Sequence, residues 1–214
     1  MNPKTRLVLA DDHAIFLDGL ERILRDDFDL IASVRDGQSL VEEVRLKKPD
    51  VVVADISMPA LNGIDAMRQI LDLGLRCKIV LLTGSSDVWL ATQALKLGAH
   101  GYVLKQSASD ELISAIRGVL DGHTFITPRI ANQVLQNLLS HPQTSEGPAL
   151  TVREREVLQL LAEGKTLKEA AAVLNVSPRT VEFHRNNLAD KTGLRTTAEL
   201  TRYAIRTGLV TAET

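Results

Sequence analysis

Five polar residues follow or end short apolar runs in the first half of the chain. Asp11 and Asp12 follow Arg6–Ala10, Asp55 ends the run VVVAD, Thr83 follows Lys78–Leu82, and Lys105 follows Gly101–Leu104. If those runs are parallel strands, all five residues gather on one sheet edge. Three carboxylates close together repel unless a cation joins them, and hard oxygen donors favour Mg²⁺. Such a set suits phosphoryl transfer to a carboxylate. Asp55 is then the nucleophile, Mg²⁺ and Lys105 neutralise charge on the transferring group, and Thr83 offers a hydroxyl to it. No base is needed, because an aspartate is ionised at neutral pH.

Taken singly, most of these residues have a plainer reading. An Asp after a strand caps a helix or a turn, Thr83 beside Gly84 is a cap, and a lysine is a solvated charge. Asp55 resists that reading: it ends a buried apolar run, where an ionised carboxylate is unfavourable without a cation or partner. All five at strand ends, in order, favour a site.

The elements that must position them are legible from periodicity. Runs rich in Val, Ile and Leu recur at Arg6–Ala10, Asp29–Val34, Val51–Ala54, Lys78–Leu82 and Gly101–Leu104. Helical spacing occupies His13–Arg25, Gly37–Lys48, Gly63–Asp72, Val88–Leu97 and Asp110–Asp121. Near-continuous apolar runs indicate strands buried on both faces, so five β-α units predict a doubly wound, parallel, five-stranded α/β domain. Its functional edge lies at the carboxyl ends of the strands. A further helix is expected at Pro128–Leu139, and the polar stretch Ser140–Pro148, with two prolines and a glycine, reads as an interdomain linker.

Past the linker the chain reads as four helices in a small all-α domain. Thr151-x-x-Glu154 and Thr166-x-x-Glu169 are capping boxes, and Ser177-Pro178 is an N-cap followed by proline in the first turn. Helices near Thr166–Leu174 and Ser177–Lys191 are joined by Asn175 and Val176, the short turn of a helix-turn-helix. On the second helix Val181 and Leu188 share one face, with His184 and Arg185 beside it. Phe183 on a polar face invites a thymine methyl or a partner surface. An ordinary helical bundle with a solvated face is the competing reading of that spacing.

Composition bounds the rest. The 214 residues carry 25 Lys+Arg and 27 Asp+Glu, with aromatics at 3% and a single cysteine, Cys77. There is no internal disulfide and no cysteine cluster for zinc. Asp11 interrupts the N-terminal apolar run, no apolar stretch is long enough for a membrane span, and a cytoplasmic protein is expected. Residues 146–214 carry 10 Lys+Arg against 9 Asp+Glu, so the helical part is barely basic. That field implies weak non-specific attraction to DNA by one copy.

LADDH, VVVADISMP with its downstream NGID, LLTG and GYVLK together resemble the receiver domain of bacterial two-component response regulators, over about Arg6–Gly122. LTVREREVL, the SPRTVEFHR run and the K-x-G-L-R-T tail resemble the LuxR-type helix-turn-helix, over about Leu150–Val210. The whole chain is thus similar to NarL/FixJ-family response regulators. The resemblance implies a flavodoxin-like receiver at 1–124, a linker with a helix at 125–148 and a DNA-binding domain at 149–214. It implies that Asp55 accepts phosphate from a histidine kinase, and that Asp11, Asp12, Asp55 and the main-chain carbonyl of Ser57 hold Mg²⁺. Thr83 and Tyr102 match the family's switch pair, and Lys105 its phosphoryl-stabilising lysine. Gln106 departs from the proline that many receivers carry there.

In the reader, the family's base-contacting positions fall on Glu182, Phe183 and Asn186. Phosphate contacts fall on Arg179, His184, Arg185 and Lys191, with Thr180 in the same DNA-binding set. Glu182 departs from the basic residue of many relatives, and His184 reads equally as a packing residue. The terminal helix, with Leu200, Tyr203 and Ala204 as an apolar stripe, is by that resemblance the one that pairs two readers, implying a homodimer on double-stranded DNA when phosphorylated; packing on its own bundle is the competing reading for part of that stripe. Two other functions compete with this transcription factor. One is an adaptor whose helical domain binds protein, suggested by the low basicity and Glu182. The other is an enzyme using Asp55 covalently, disfavoured because Ile56 and Ser57, not an acid–base group, come next.

Overall fold

A computed structural model describes residues 4–140, 150–207 and 209–210. Strands β1 (Arg6–Ala10), β2 (Asp29–Val34), β3 (Val51–Asp55), β4 (Lys78–Thr83) and β5 (Gly101–Leu104) alternate with helices α1 (Ala14–Leu24), α2 (Gly37–Lys47), α3 (Gly63–Asp72), α4 (Val88–Lys96) and α5 (Ala108–Leu120). Every strand pairing is parallel. β3 is buried along its whole length, as a strand covered on both faces must be. One sheet face packs Val8, Val52, Ile79 and Tyr102 under α2, α3 and α4; the other packs Leu7, Val53, Leu82 and Val103 under α1 and α5.

The sheet has six strands, not the expected five. β6 (Phe125–Ile126) pairs with β5, giving the order β2-β1-β3-β4-β5-β6. Its two residues are too few to show as an apolar run. Helix α6 (Pro128–Ser140) follows, with Ile130 and Val134 buried in the same core as α4. Thr127, 1% exposed, fastens this unit: its N–H donates to the Tyr102 carbonyl, and its hydroxyl accepts from the Leu104 N–H and donates to Glu111. The stretch from 125 to 140, expected as a linker with a helix at Pro128–Leu139, thus holds that helix and, in addition, the strand β6. The rest of the expected linker, through Pro148, lies outside the described residues.

The C-terminal part is all helix: α7 (Val152–Ala162), α8 (Leu167–Val173), α9 (Pro178–Thr192) and α10 (Thr197–Arg206). Thr151 and Thr166 form the expected capping boxes, and Thr196 with Glu199 forms a third. Asn175, at φ 52°, makes the turn between α8 and α9, and Gly193, at φ 75°, ends α9 in the left-handed conformation that glycine adopts freely. Val181 and Leu188 are buried, as their shared face predicts. No described helix is long and apolar enough to cross a membrane.

Candidate functional site

In a parallel sheet of this order, the crevice opens where neighbouring connections leave to opposite faces, between β1 and β3. Asp11 and Asp55 sit there, 0% and 1% exposed. Lys105 arrives from the end of β5, and its Nζ stands 2.7 Å from Asp11 Oδ2 and 2.8 Å from Asp55 Oδ2. The ammonium also lies 4.9 Å from the centre of the Phe16 ring, a cation–π contact. Among the described residues no peptide bond is cis, and Lys105–Ser107, which contains the departure at Gln106, forms a short 3₁₀ turn.

The electrostatics are those of desolvated charge. Burial pushes the Asp55 carboxyl up to about 6; Lys105 opposes the shift and the charge of Asp11 adds to it. Burial alone would lower Lys105, but the two carboxylates outweigh it and hold the amine above its ordinary value. Asp55 Oδ1 is buried with no hydrogen-bond partner. Ligand atoms of Asp11, Asp12, His13 and Asp55 lie within 4.8 Å of one another. A buried carboxylate oxygen lacking a donor, among further oxygen donors, fits a hard divalent cation. His13 is the addition to the expected set, with Nδ1 2.7 Å from Asp12 Oδ1. Its place directly after the two aspartates was the available signal. Ser57, half-buried, lines the same cleft.

The geometry around Asp55 depends on one glycine. A Cβ on Gly63 would lie 2.1 Å from the Asp55 carbonyl oxygen, so the turn from β3 into α3 closes only without a side chain there. Asn62 caps α3 by accepting from the Asp65 N–H, and Ala60 takes a left-handed φ of 65° in the same turn. Thr83 ends β4, 1% exposed, and its hydroxyl accepts from the Ser85 N–H at 3.0 Å. Tyr102 is fully buried, and burial raises its phenol well above the usual value while the Thr83 side chain works against the shift.

The second set lies on α9. Arg179, Glu182, Phe183 and Asn186 are exposed, Phe183 by 60%. Thr180 is half-buried, with its N–H bonded to the Ser177 cap. His184 and Arg185 are half-buried, and the His184 ring meets Phe183 edge-on at 5.5 Å. Lys191 Nζ pairs with Glu154 Oε2 at 2.7 Å and so ties the end of α9 to the capping box of α7. Leu200, Tyr203 and Ala204 are buried in the core of their own bundle with Leu158 and Leu188, so this apolar stripe of α10 is not a free face.

The helical part rests on the acidic edge. A cleft of about 570 Å³ is lined by Asp55, Ser57, Lys105 and Phe16 from one side and by Ile205 and Val210 from the other. Burial raises the Glu163 carboxyl above its usual range, and the charge of Asp12 adds to the shift. Gln159 of α7 bonds to the turn after β3, and Arg155 of α7 to Asp65 at the start of α3. Neither was singled out in the sequence, although Gln159 interrupts an apolar run, VLQLL.

Residues 7–117 match the response regulator receiver domain, and residues 148–204 match the bacterial regulatory proteins of the luxR family. The chain is 34% identical over 212 residues to the response regulator UvrY of Escherichia coli strain K12, covering 97% of each chain. It is 35% identical over 214 residues to the oxygen regulatory protein NreC of Staphylococcus carnosus, covering 96% of this chain and 99% of that one. Among solved structures it resembles RcsB from Salmonella enterica serovar Typhimurium bound to promoter rprA with a phosphomimetic, at 25% identity and a TM-score of 0.59, covering 94% of this chain and 98% of that one.

Proposed function

The chain belongs to the NarL/FixJ family of two-component response regulators, a receiver joined to a LuxR-type DNA-binding domain, and from that premise we propose which residues carry its phosphorelay and its DNA contacts. It is a transcription regulator rather than an enzyme. The division we adopt is a receiver at 1–124, a connecting segment at 125–148 and a reader at 149–214.

Asp55 is the phosphoacceptor. The observation that carries this is a buried carboxylate with one oxygen on Lys105 and the other lacking any donor. The donor is a phosphohistidine of a sensor kinase: a P–O bond forms to Asp55 as the P–N bond breaks, and the electron pair leaves with the imidazole. Asp11, Asp12, Asp55 and the Ser57 carbonyl would hold Mg²⁺, which supplies charge neutralisation for the transferring group when bound. Lys105 offsets charge on the phosphoryl oxygens, and Thr83 turns its hydroxyl from the Ser85 N–H toward them. Tyr102, behind Thr83, completes a two-state element biased by that local charge.

In the reader, Glu182, Phe183 and Asn186 meet base edges, and Arg179, Thr180, His184, Arg185 and Lys191 lie along the phosphates. Lys191 must exchange Glu154 for phosphate to do so. The operating compartment is the cytoplasm, and the active species is a homodimer on double-stranded DNA. RcsB bound to a promoter in the presence of a phosphomimetic supports both the DNA target and the gating. With the exposed face of α9 available and the end of α10 against the receiver, the element restrained before phosphorylation is α10 rather than the reading helix.

The test is selection of bound sequences from random duplex DNA, with and without beryllofluoride. The expected result is a palindromic sequence enriched more strongly with the mimic, a difference that Asp55→Asn abolishes. Equal enrichment in all conditions would remove the gating, and no enrichment at all would remove the DNA reading.

A further inference from the structure

Gln159 sits in the middle of α7, 1% exposed, between Leu158 and Leu160. A glutamine amide offers two donors and two acceptor lone pairs. Here all four are used. Oε1 accepts from the Asn62 N–H at 3.0 Å and from Asn62 Nδ2 at 3.1 Å. Nε2 donates to the Met58 carbonyl at 2.7 Å and to Glu163 at 2.8 Å. One bond stays within the reader, at the cap of α7, and the other three cross to the receiver.

The three that cross land on the turn that leaves Asp55. Gly63 closes this turn against the Asp55 carbonyl, and Ala60 holds a left-handed backbone within it. Arg155, one helical turn before Gln159 on the same face, donates from Nε to Asp65 at the start of α3 and from Nη1 to the Leu150 carbonyl. Asp65 in turn bonds Asn62. The result is a buried polar network in which every Gln159 group is satisfied. Such networks specify one arrangement, because a partial network leaves desolvated groups unpaired. The apolar contribution at this boundary, Ile205 and Val210 beside the cleft, has no comparable directionality.

We propose that Gln159 is the positioning residue that latches the reader domain onto the phosphoacceptor turn, and that breaking its bonds releases the reader without any phosphoryl group. The latch deepens the proposed gating and rests on Asp55 as phosphoacceptor only for what normally opens it. The Asn62 amide is its direct reporter, because that N–H is covered by Gln159 itself. Gln159→Glu keeps the shape and still accepts from Asn62, but sets a carboxylate against the Met58 carbonyl and Glu163, where donors are needed.

The experiment compares full-length wild type, Gln159→Glu, Asp55→Asn and the double variant by amide hydrogen exchange, small-angle scattering and thermal melting. With Gln159→Glu, the Asn62 amide should exchange roughly tenfold faster, equivalent to about 1.4 kcal/mol. The radius of gyration should rise and the melting of the reader helices should be unchanged. The double variant should behave like Gln159→Glu, because the latch acts after Asp55. Where Gln159→Glu folds poorly, Gln159→Met, which keeps the length and loses all four bonds, carries the same expectation. Unchanged exchange and size in the folded variant would overturn the latch. If beryllofluoride leaves wild type closed while Gln159→Glu opens, the latch stands and the phosphoacceptor reading fails.

Discussion

The receiver's acidic edge and the reader's α9 face are both functional surfaces made of charged and polar side chains, but they are built in opposite ways. Asp11 and Asp55 are almost wholly buried; burial raises the Asp55 carboxyl, Lys105 opposes that shift and the charge of Asp11 adds to it. Arg179, Glu182, Phe183 and Asn186 stand in solvent, and Phe183 exposes 60% of its surface. In the first region the fold stores electrostatic free energy that a ligand can release. In the second the fold supplies only placement, and the free energy waits for the partner. Substitutions at the acidic edge should therefore change stability before they change binding, and those on α9 the reverse.

The largest test of this contrast is Lys105→Met. Removing the shared cation leaves two buried carboxylates unpaired, and breaking a buried pair in this way costs about 3–5 kcal/mol. Thermal melting without divalent metal should fall steeply, and millimolar Mg²⁺ should restore much of the loss. A melting point unchanged in metal-free buffer would refute the stored-charge picture.

Asp55→Asn should act in the opposite direction by a smaller amount. A carboxyl raised to about 6 from an ordinary 3.8 is destabilised in its charged form. The penalty is absent below about pH 4, grows as pH rises through the window between the two values, and is complete above about 6. Relieving it should stabilise the metal-free protein at pH 8 by about 1–3 kcal/mol, with no gain at pH 4. Denaturant melts at the two pH values measure the difference, and an equal effect at both would show that charge is not the cause.

On α9, Phe183→Ala should leave melting within about 0.5 kcal/mol, as exposed positions do. It should weaken specific DNA binding by about 1–3 kcal/mol if the ring meets a thymine methyl. Competition between selected and mismatched duplexes separates that outcome from a general loss. The smallest effect is expected from Arg179→Ala, which should weaken binding about equally across sequences. It should also reduce the salt slope by about one unit, read from affinities at several salt concentrations.

The same contrast explains what the sequence disclosed. Strand ends are recoverable because periodicity marks them, so Asp11, Asp55 and Lys105 come together where a parallel sheet requires, with Thr83 at the end of β4. The capping boxes at Thr151 and Thr166 were legible for a similar local reason. β6 was not, since two residues carry no period, and its identity depends on pairing with β5. Leu200, Tyr203 and Ala204 show why an apolar stripe is ambiguous: periodicity gives the face but not what covers it, and here their own bundle does. Gln159 escaped notice because its partners, Met58 and Asn62, lie about a hundred residues away in sequence.

The incorporation of β6 and α6 into the receiver also bounds how far the reader can move from it. Between α6, which ends at Ser140, and Leu150, which is buried in the reader's core, the chain has only the nine residues 141–149. Nine residues span at most about 30 Å. A reader that leaves its seat therefore never dilutes into the cell. It stays at a local concentration on the order of millimolar, and any phosphoryl group, second copy or operator must outcompete a tethered ligand that returns unimolecularly.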